Sequence, residues 1–87
     1  MEAIYGEIAQ LIRRHRERAG LSTTQLARKT GEFVDPPYAQ TTISGLENGH
    51  QRISIHVLDV VAKALGVEFF ELLPRRLKPK AKSGRKR

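Results

Sequence analysis

Two stretches of this 87-residue chain limit its possible folds more than any other. The first is Gly20-Leu21-Ser22-Thr23-Thr24-Gln25-Leu26-Ala27. It carries a helix start: Ser22 can cap the amides that a new helix opens, and Gln25 sits three residues on, as a capping box requires. The second is Gln40-Thr41-Thr42-Ile43-Ser44-Gly45-Leu46-Glu47-Asn48-Gly49. Its front is small and polar, while Ile43 and Leu46 fall on one face of a helix. Asn48-Gly49 then supplies a stop, because glycine enters the left-handed region at little cost. The expected product is two short helices, the second polar in front and anchored behind. Such a pair reads as a DNA-binding helix-turn-helix, with the second helix shaped for a major groove.

Hydrophobic spacing predicts the partners of that pair. Helix one runs from about Tyr5 to Ala19, with Ile4, Ile8, Leu11, Ile12 and His15 recurring at three- and four-residue steps. Gly20 ends it, and Leu21 turns toward the core. Helix two spans about Thr23 to Thr30, buries Leu26 and Ala27, and stops at Gly31. Helix three covers about Ala39 to Asn48. Helix four starts at an N-cap, Ser54, and runs through Val57, Leu58, Val61, Ala62 and Leu65 to Gly66. A fifth, short helix takes Phe69, Phe70, Leu72 and Leu73 before Pro74. The expectation is an all-α, compact five-helix domain over residues 1–74, with no internal repeat.

Residues 75–87 differ in kind. They hold eight of the sixteen Lys and Arg and no acid, so residues 1–74 carry a formal charge of −1 while the chain carries +7. The basic character belongs to this tail, which has one Leu to pack and is expected to be disordered when free. Any basic face on the folded part must come from local clustering of Arg13, Arg14, Arg16, Arg18, Arg28 and Lys29. Cysteine is absent, which removes thiolate and disulfide chemistry and fits a reducing compartment. The start Met1-Glu2-Ala3-Ile4-Tyr5 lacks the pattern of a signal peptide, and no apolar run approaches the ~20 residues of a membrane span. The expected setting is therefore the cytoplasm. Three histidines without a carboxylate or thiolate at ligand spacing do not make a metal site. No nucleophile–base set or phosphate loop is visible, so neither an enzyme nor a cofactor is expected.

The series in register is more telling than any single motif. Arg16…Gly20-Leu21-Ser22…Leu26-Ala27…Gly31, then Ile43-Ser44…Leu46-Glu47-Asn48-Gly49, then Leu58…Ala62…Ala64-Leu65-Gly66-Val67…Leu72-Leu73 resembles the Cro and phage-repressor type helix-turn-helix family. The resemblance covers roughly residues 8–73 and implies a lambda-repressor-like fold. It places Gln40 and Thr41 at the foremost base-reading positions, a role that suits glutamine because its amide can accept from and donate to adenine. Thr42 and Ser44 are the next candidates. Thr23, with Ser22 beside it, matches a position that grips phosphate at the start of helix two. His50, Gln51 and Arg52 fall in the loop that lies along the DNA backbone. Arg16 and Glu47 match a structural pair joining helix one to the end of helix three.

Plainer roles are open to several of these residues. Gln40, Thr41 and Thr42 also fit a solvated helix face. The Arg13–Arg18 cluster is either helix surface partly balanced by Glu17 or a phosphate-contacting edge, with Arg13 the candidate. His15 fits a core or half-core position, and His56 fits either surface or phosphate.

The chain departs from the family pattern twice. Gly31 and Ile43 are twelve positions apart, longer than the usual tight turn, and Pro36 and Pro37 forbid a continuous helix between them. Within residues 32–38, Phe33, Val34 and Tyr38 either cover the core or form an exposed patch for a protein partner. Glu32 and Asp35 would disfavour nearby DNA unless turned away. Gly45 occupies a position that commonly bears a long polar side chain, so one expected contact is missing. The implied function is transcriptional repression through a palindromic operator, bound by a homodimer with helix three in the major groove. Helices four and five, including Phe69 or Phe70, are the expected dimer surface. The alternative is a protein-interaction module of the same fold, such as an antitoxin or bridging coactivator.

Overall fold

The computed structural model describes residues 2–49 and 52–75, with side chains from Ile4 onward. Four α-helices follow in chain order: α1 Glu2–Arg18, α2 Thr23–Lys29, α3 Gln40–Glu47 and α4 Ile55–Leu65. Two 3-10 turns complete the framework, Thr30–Glu32 directly after α2 and Phe69–Leu72 after α4. No strand occurs among the described residues. The all-α expectation is met, with one correction: the fifth element is a 3-10 turn, not an α-helix. Its cause is local. Leu73 precedes Pro74, whose ring disfavours helical backbone in the residue before it, and Leu73 is accordingly extended at φ −100° and ψ 148°. The tail from residue 76 onward, expected to be disordered, lies outside the described residues, as do His50 and Gln51. No described helix is long and apolar enough to cross a membrane.

The helix boundaries follow from caps legible in the sequence. Ser22 Oγ accepts from the Gln25 amide at 3.0 Å, and the Ser22 amide donates to Gln25 Oε1 at 2.8 Å, closing the capping box. Ser54 Oγ accepts from the Val57 amide at 3.1 Å. Gly66 closes α4 at φ 74°, and the Val67 amide returns to the Ala62 carbonyl at 3.0 Å. Gly49 ends α3 at φ 72°, where an added Cβ would stand 3.5 Å from Gly6 Cα of α1. Both stops use a backbone region that only glycine enters freely.

Four helices share one core. Ile8 and Ile12 of α1 meet Leu26 and Ala27 of α2, Ile43 and Leu46 of α3, and Leu58, Val61, Ala62 and Ala64 of α4. Leu72 of the last turn is fully enclosed with them. Leu11, Val57 and Leu65, expected on the apolar faces, are only half-buried. α2 packs directly on α3, and α1 crosses α3, α4 and the last turn.

The long connection between α2 and α3 is tied at its base by Thr30. This residue is fully buried. Its Oγ1 donates to the Ala27 carbonyl at 2.6 Å and accepts from the Tyr38 amide at 2.8 Å. Pro37 closes in beside Gly31, where a Cβ would lie 3.1 Å from Pro37 Cγ. The Asp35–Pro36 peptide bond is cis. The expected alternatives for the loop resolve by residue: Val34 and Tyr38 turn inward and are half-buried, while Phe33 remains 44 % exposed. Burial pushes the Tyr38 phenol above its ordinary pKa.

One ion pair sets how α3 lies on α1. Arg16 Nε donates to Glu47 Oε2 at 2.5 Å, Nη2 to Oε1 at 3.0 Å, and Nη1 to the Leu21 carbonyl at 2.7 Å. The Glu47 side chain is 3 % exposed and that of Arg16 12 %. Because removing one partner of such a pair strands the other charge, Glu47→Ala is expected to cost about 3–5 kcal/mol in urea unfolding. The double variant Arg16→Met/Glu47→Leu should lose far less; an equal loss would contradict the stranded-charge explanation. Thr30→Val leaves the Tyr38 amide without its acceptor and should cost about 1–3 kcal/mol, read in the same denaturation.

Candidate nucleic-acid interface

The polar side of α3 faces outward because its other side is sealed. Ile43, Leu46 and Glu47 are its buried residues, and the helical repeat gathers them on one side. Thr41 and Asn48 are exposed on the other, with Ser44 and Gly45 half-buried beside them, and Gln40 is exposed at the front end of the helix. Thr42 is half-buried at the flank. Of the four expected base readers, Gln40 and Thr41 are the most open, Ser44 shares the side of Thr41, and Thr42 is set apart. With 8 residues, α3 is only about 12 Å long.

Two helix starts meet at this surface. Gln40 Nε2 donates to Thr23 Oγ1 at 2.9 Å, so the front of α3 adjoins the front of α2. Ser22 is exposed there, with its Oγ already engaged by the capping box. Ser22, Thr23, Gln40 and Thr41 thus form one neutral, polar edge of hydroxyls and an amide.

The expected cationic residues are placed differently. Arg13 Nε lies 3.6 Å from Glu47 Oε1, its side chain 56 % exposed. It therefore stands beside the last residue of α3, away from the Gln40–Thr23 edge. Arg52 is exposed in the segment after α3. Arg28 and Lys29 end α2 and line a shallow hollow with Leu21, Gln25 and Glu32. His15 is half-buried and His56 exposed. Among the described residues no group of three or more His, Cys, Asp or Glu is placed to hold a metal ion.

α3 carries a single charge, and that charge is compensated. Glu47 is the one charged residue of the helix, at the C-terminal end, where the helix dipole disfavours a negative charge. Arg16 compensates it. The hydrogen bonds it donates to Glu47 hold the Arg16 guanidinium above its ordinary pKa, against the opposing effect of burial.

Two features escape the sequence. Thr30 as the tie of the inserted loop has no local signature beyond a hydroxyl at the end of a helix. The Gln40–Thr23 bond joins residues 17 apart, which only the packing of α2 on α3 reveals.

Known proteins share this arrangement. A family model described as a helix-turn-helix domain matches residues 7–69. No match is found among curated proteins. Solved structures share the fold. The restriction-modification controller protein C.AhdI from Aeromonas hydrophila is 28 % identical, covering 83 % of this chain and 96 % of its own, with a TM-score of 0.73. A hypothetical transcription factor, NHTF, from Neisseria is 28 % identical over 94 % of this chain and 85 % of its own, with a TM-score of 0.72. An HTH_3 family transcriptional regulator from Vibrio cholerae superimposes at a TM-score of 0.72 with 22 % identity, covering 82 % of this chain and 36 % of its own, a likeness of fold alone. With the model spanning most of the chain and the α2–α3 pair seated as that motif requires, the chain belongs to the helix-turn-helix domain family, of the Cro and repressor type.

Proposed function

We propose that this protein is a sequence-specific DNA-binding transcriptional regulator, a repressor that binds a palindromic operator as a homodimer with α3 in the major groove. The observation that carries this reading is the polar front and outer side of α3, with Gln40 and Thr41 exposed and Ser44 beside them, on a helix that Ile43, Leu46 and Glu47 lock into the core. Neutral hydrogen-bonding side chains at the front of such a helix match the donor and acceptor pattern of base edges. Ser22 and Thr23 take phosphate at the adjoining start of α2, and Arg52, with His50 and Gln51 before it, follows the backbone beyond α3. Arg13 contacts the backbone nearer the end of α3. Thr42 reaches the flank of the same groove.

A helix about 12 Å long covers only a few base pairs, too few to select a site in a genome. A second copy on a second half-site supplies the rest. The dimer surface in this reading is the end of α4 with the turn that follows, where Phe70 is 47 % exposed and packs edge-on to Phe69 at 5.8 Å. The basic tail adds sequence-independent phosphate contacts. One observation favours a second reading as a protein-interaction module: Phe33 is exposed on the 32–38 loop, beside the acids Glu32 and Asp35.

Selection of binding sites from a random duplex library, with the full chain at near-physiological salt, is the direct test. A two-fold symmetric site with half-sites about one helical turn apart is expected. Gln40→Ala should weaken preference at one base pair per half-site by about 1–3 kcal/mol. Retention of DNA without a consensus would shift the function to the protein-partner reading. Deleting residues 75–87 should flatten the salt dependence, by about 0.9 in the log–log slope for each phosphate that the tail neutralises, and leave site preference intact. Loss of that preference would show that the tail reads sequence.

A further inference from the structure

The C-terminal end of α2 and the loop after it carry an open hollow, an exposed ring and charges of both signs. We infer that they form a self-complementary docking face for a second copy of this chain: Phe33 of each copy seats in the hollow beside Leu21 of the other, and its Asp35 meets Arg28 there. This goes beyond the operator reading and holds or fails without DNA.

The apolar part of the face is a knob beside a hole. The hollow measures about 290 Å³ and is lined by Leu21, Gln25, Arg28, Lys29 and Glu32. Leu21 is half-buried, so apolar surface remains open within it. Phe33 follows Glu32 directly and is 44 % exposed. It does not line the hollow, so the ring leaves the hollow of its own chain unfilled. A large ring that open gains by burial against another apolar surface. A two-fold axis between knob and hole seats both rings at once and makes every contact twice.

The charges point to the same occupant. Arg28 and Lys29 stand on α2, Glu32 and Asp35 on the loop, and none is in an ion pair with a described residue. Two cations and two acids cancel, so two copies meet there without the repulsion expected of chains that each carry +7. A partner of one sign fits less well: a basic one meets Arg28 and Lys29, an acidic one Glu32 and Asp35. Arg28 and Asp35 are both exposed, and a guanidinium suits a carboxylate. The face is also clear of the front proposed to meet DNA, since Lys29 ends α2 about 9 Å along the helix from Thr23. It lies on other elements than Phe70, so it joins dimers made through the end of α4.

The test is sedimentation velocity of the full chain without DNA, over a concentration series at near-physiological salt, where the charge of the tail is screened. Wild type should pass reversibly from dimer to larger species. Phe33→Ser and Arg28→Glu should each weaken that step about tenfold, because each is lost twice across the axis. Arg28→Glu combined with Asp35→Arg exchanges the two charges and should restore wild-type association. Phe70→Ser, which alters the α4 surface instead, should leave association through the loop in place. Wild-type assembly in both Phe33→Ser and Arg28→Glu overturns the inference, as does a double variant no stronger than Arg28→Glu alone. A wild type that never exceeds a dimer, and whose dimer only Phe70→Ser weakens, overturns it while leaving the α4 homodimer intact.

Discussion

A buried carboxylate at the end of a short helix is normally a liability, and here the position of α3 depends on it. Glu47 is nearly sealed from solvent, and Arg16 uses both carboxylate oxygens and the Leu21 carbonyl to satisfy its own guanidinium. Three elements are joined by this one side chain: α1, which carries Arg16; the turn into α2, through Leu21; and the end of α3. An apolar contact would resist separation but tolerate rotation. A bidentate pair with a third fixed bond tolerates neither. The setting of α3 on α1 is therefore fixed by this contact, which also cancels the one charge of the helix.

The inserted loop is compatible with that arrangement because it is closed at its base. Thr30 ends α2, spans to the Tyr38 amide and still satisfies the Ala27 carbonyl, so the extra residues leave and return at nearly the same place. α2 and α3 can then pack as directly as if the turn were short. The insertion is accommodated outward, with Phe33 and the acids Glu32 and Asp35 on its exposed part.

Much of this is legible in the sequence because the determining signals are local. Ser22 with Gln25, Ser54, Gly49 and Gly66 mark helix ends by backbone chemistry that acts within a few residues, and the structure uses each as expected. Ile8, Ile12, Leu26, Ile43, Leu58 and Val61 declare themselves by spacing, and all are buried. The Arg16–Glu47 pair is reached only through the family resemblance, since nothing local links residues 31 apart. Thr30 and the Gln40–Thr23 bond are not legible, because both depend on how α2 and α3 approach in space. The fifth element departs from expectation for a different reason. Four apolar residues in five look helical, but Pro74 acts on Leu73 and leaves room for a single 3-10 turn.

The front of α3, together with the start of α2, is the surface proposed to meet DNA. The most direct measurement is amide chemical-shift mapping of the full chain during titration with a duplex recovered by site selection. The largest changes should fall on residues 22–25, 40–44 and 52, with the 32–38 loop little affected. Changes concentrated on residues 32–38, with 40–44 unmoved, would contradict that proposal and place the working surface on the inserted loop.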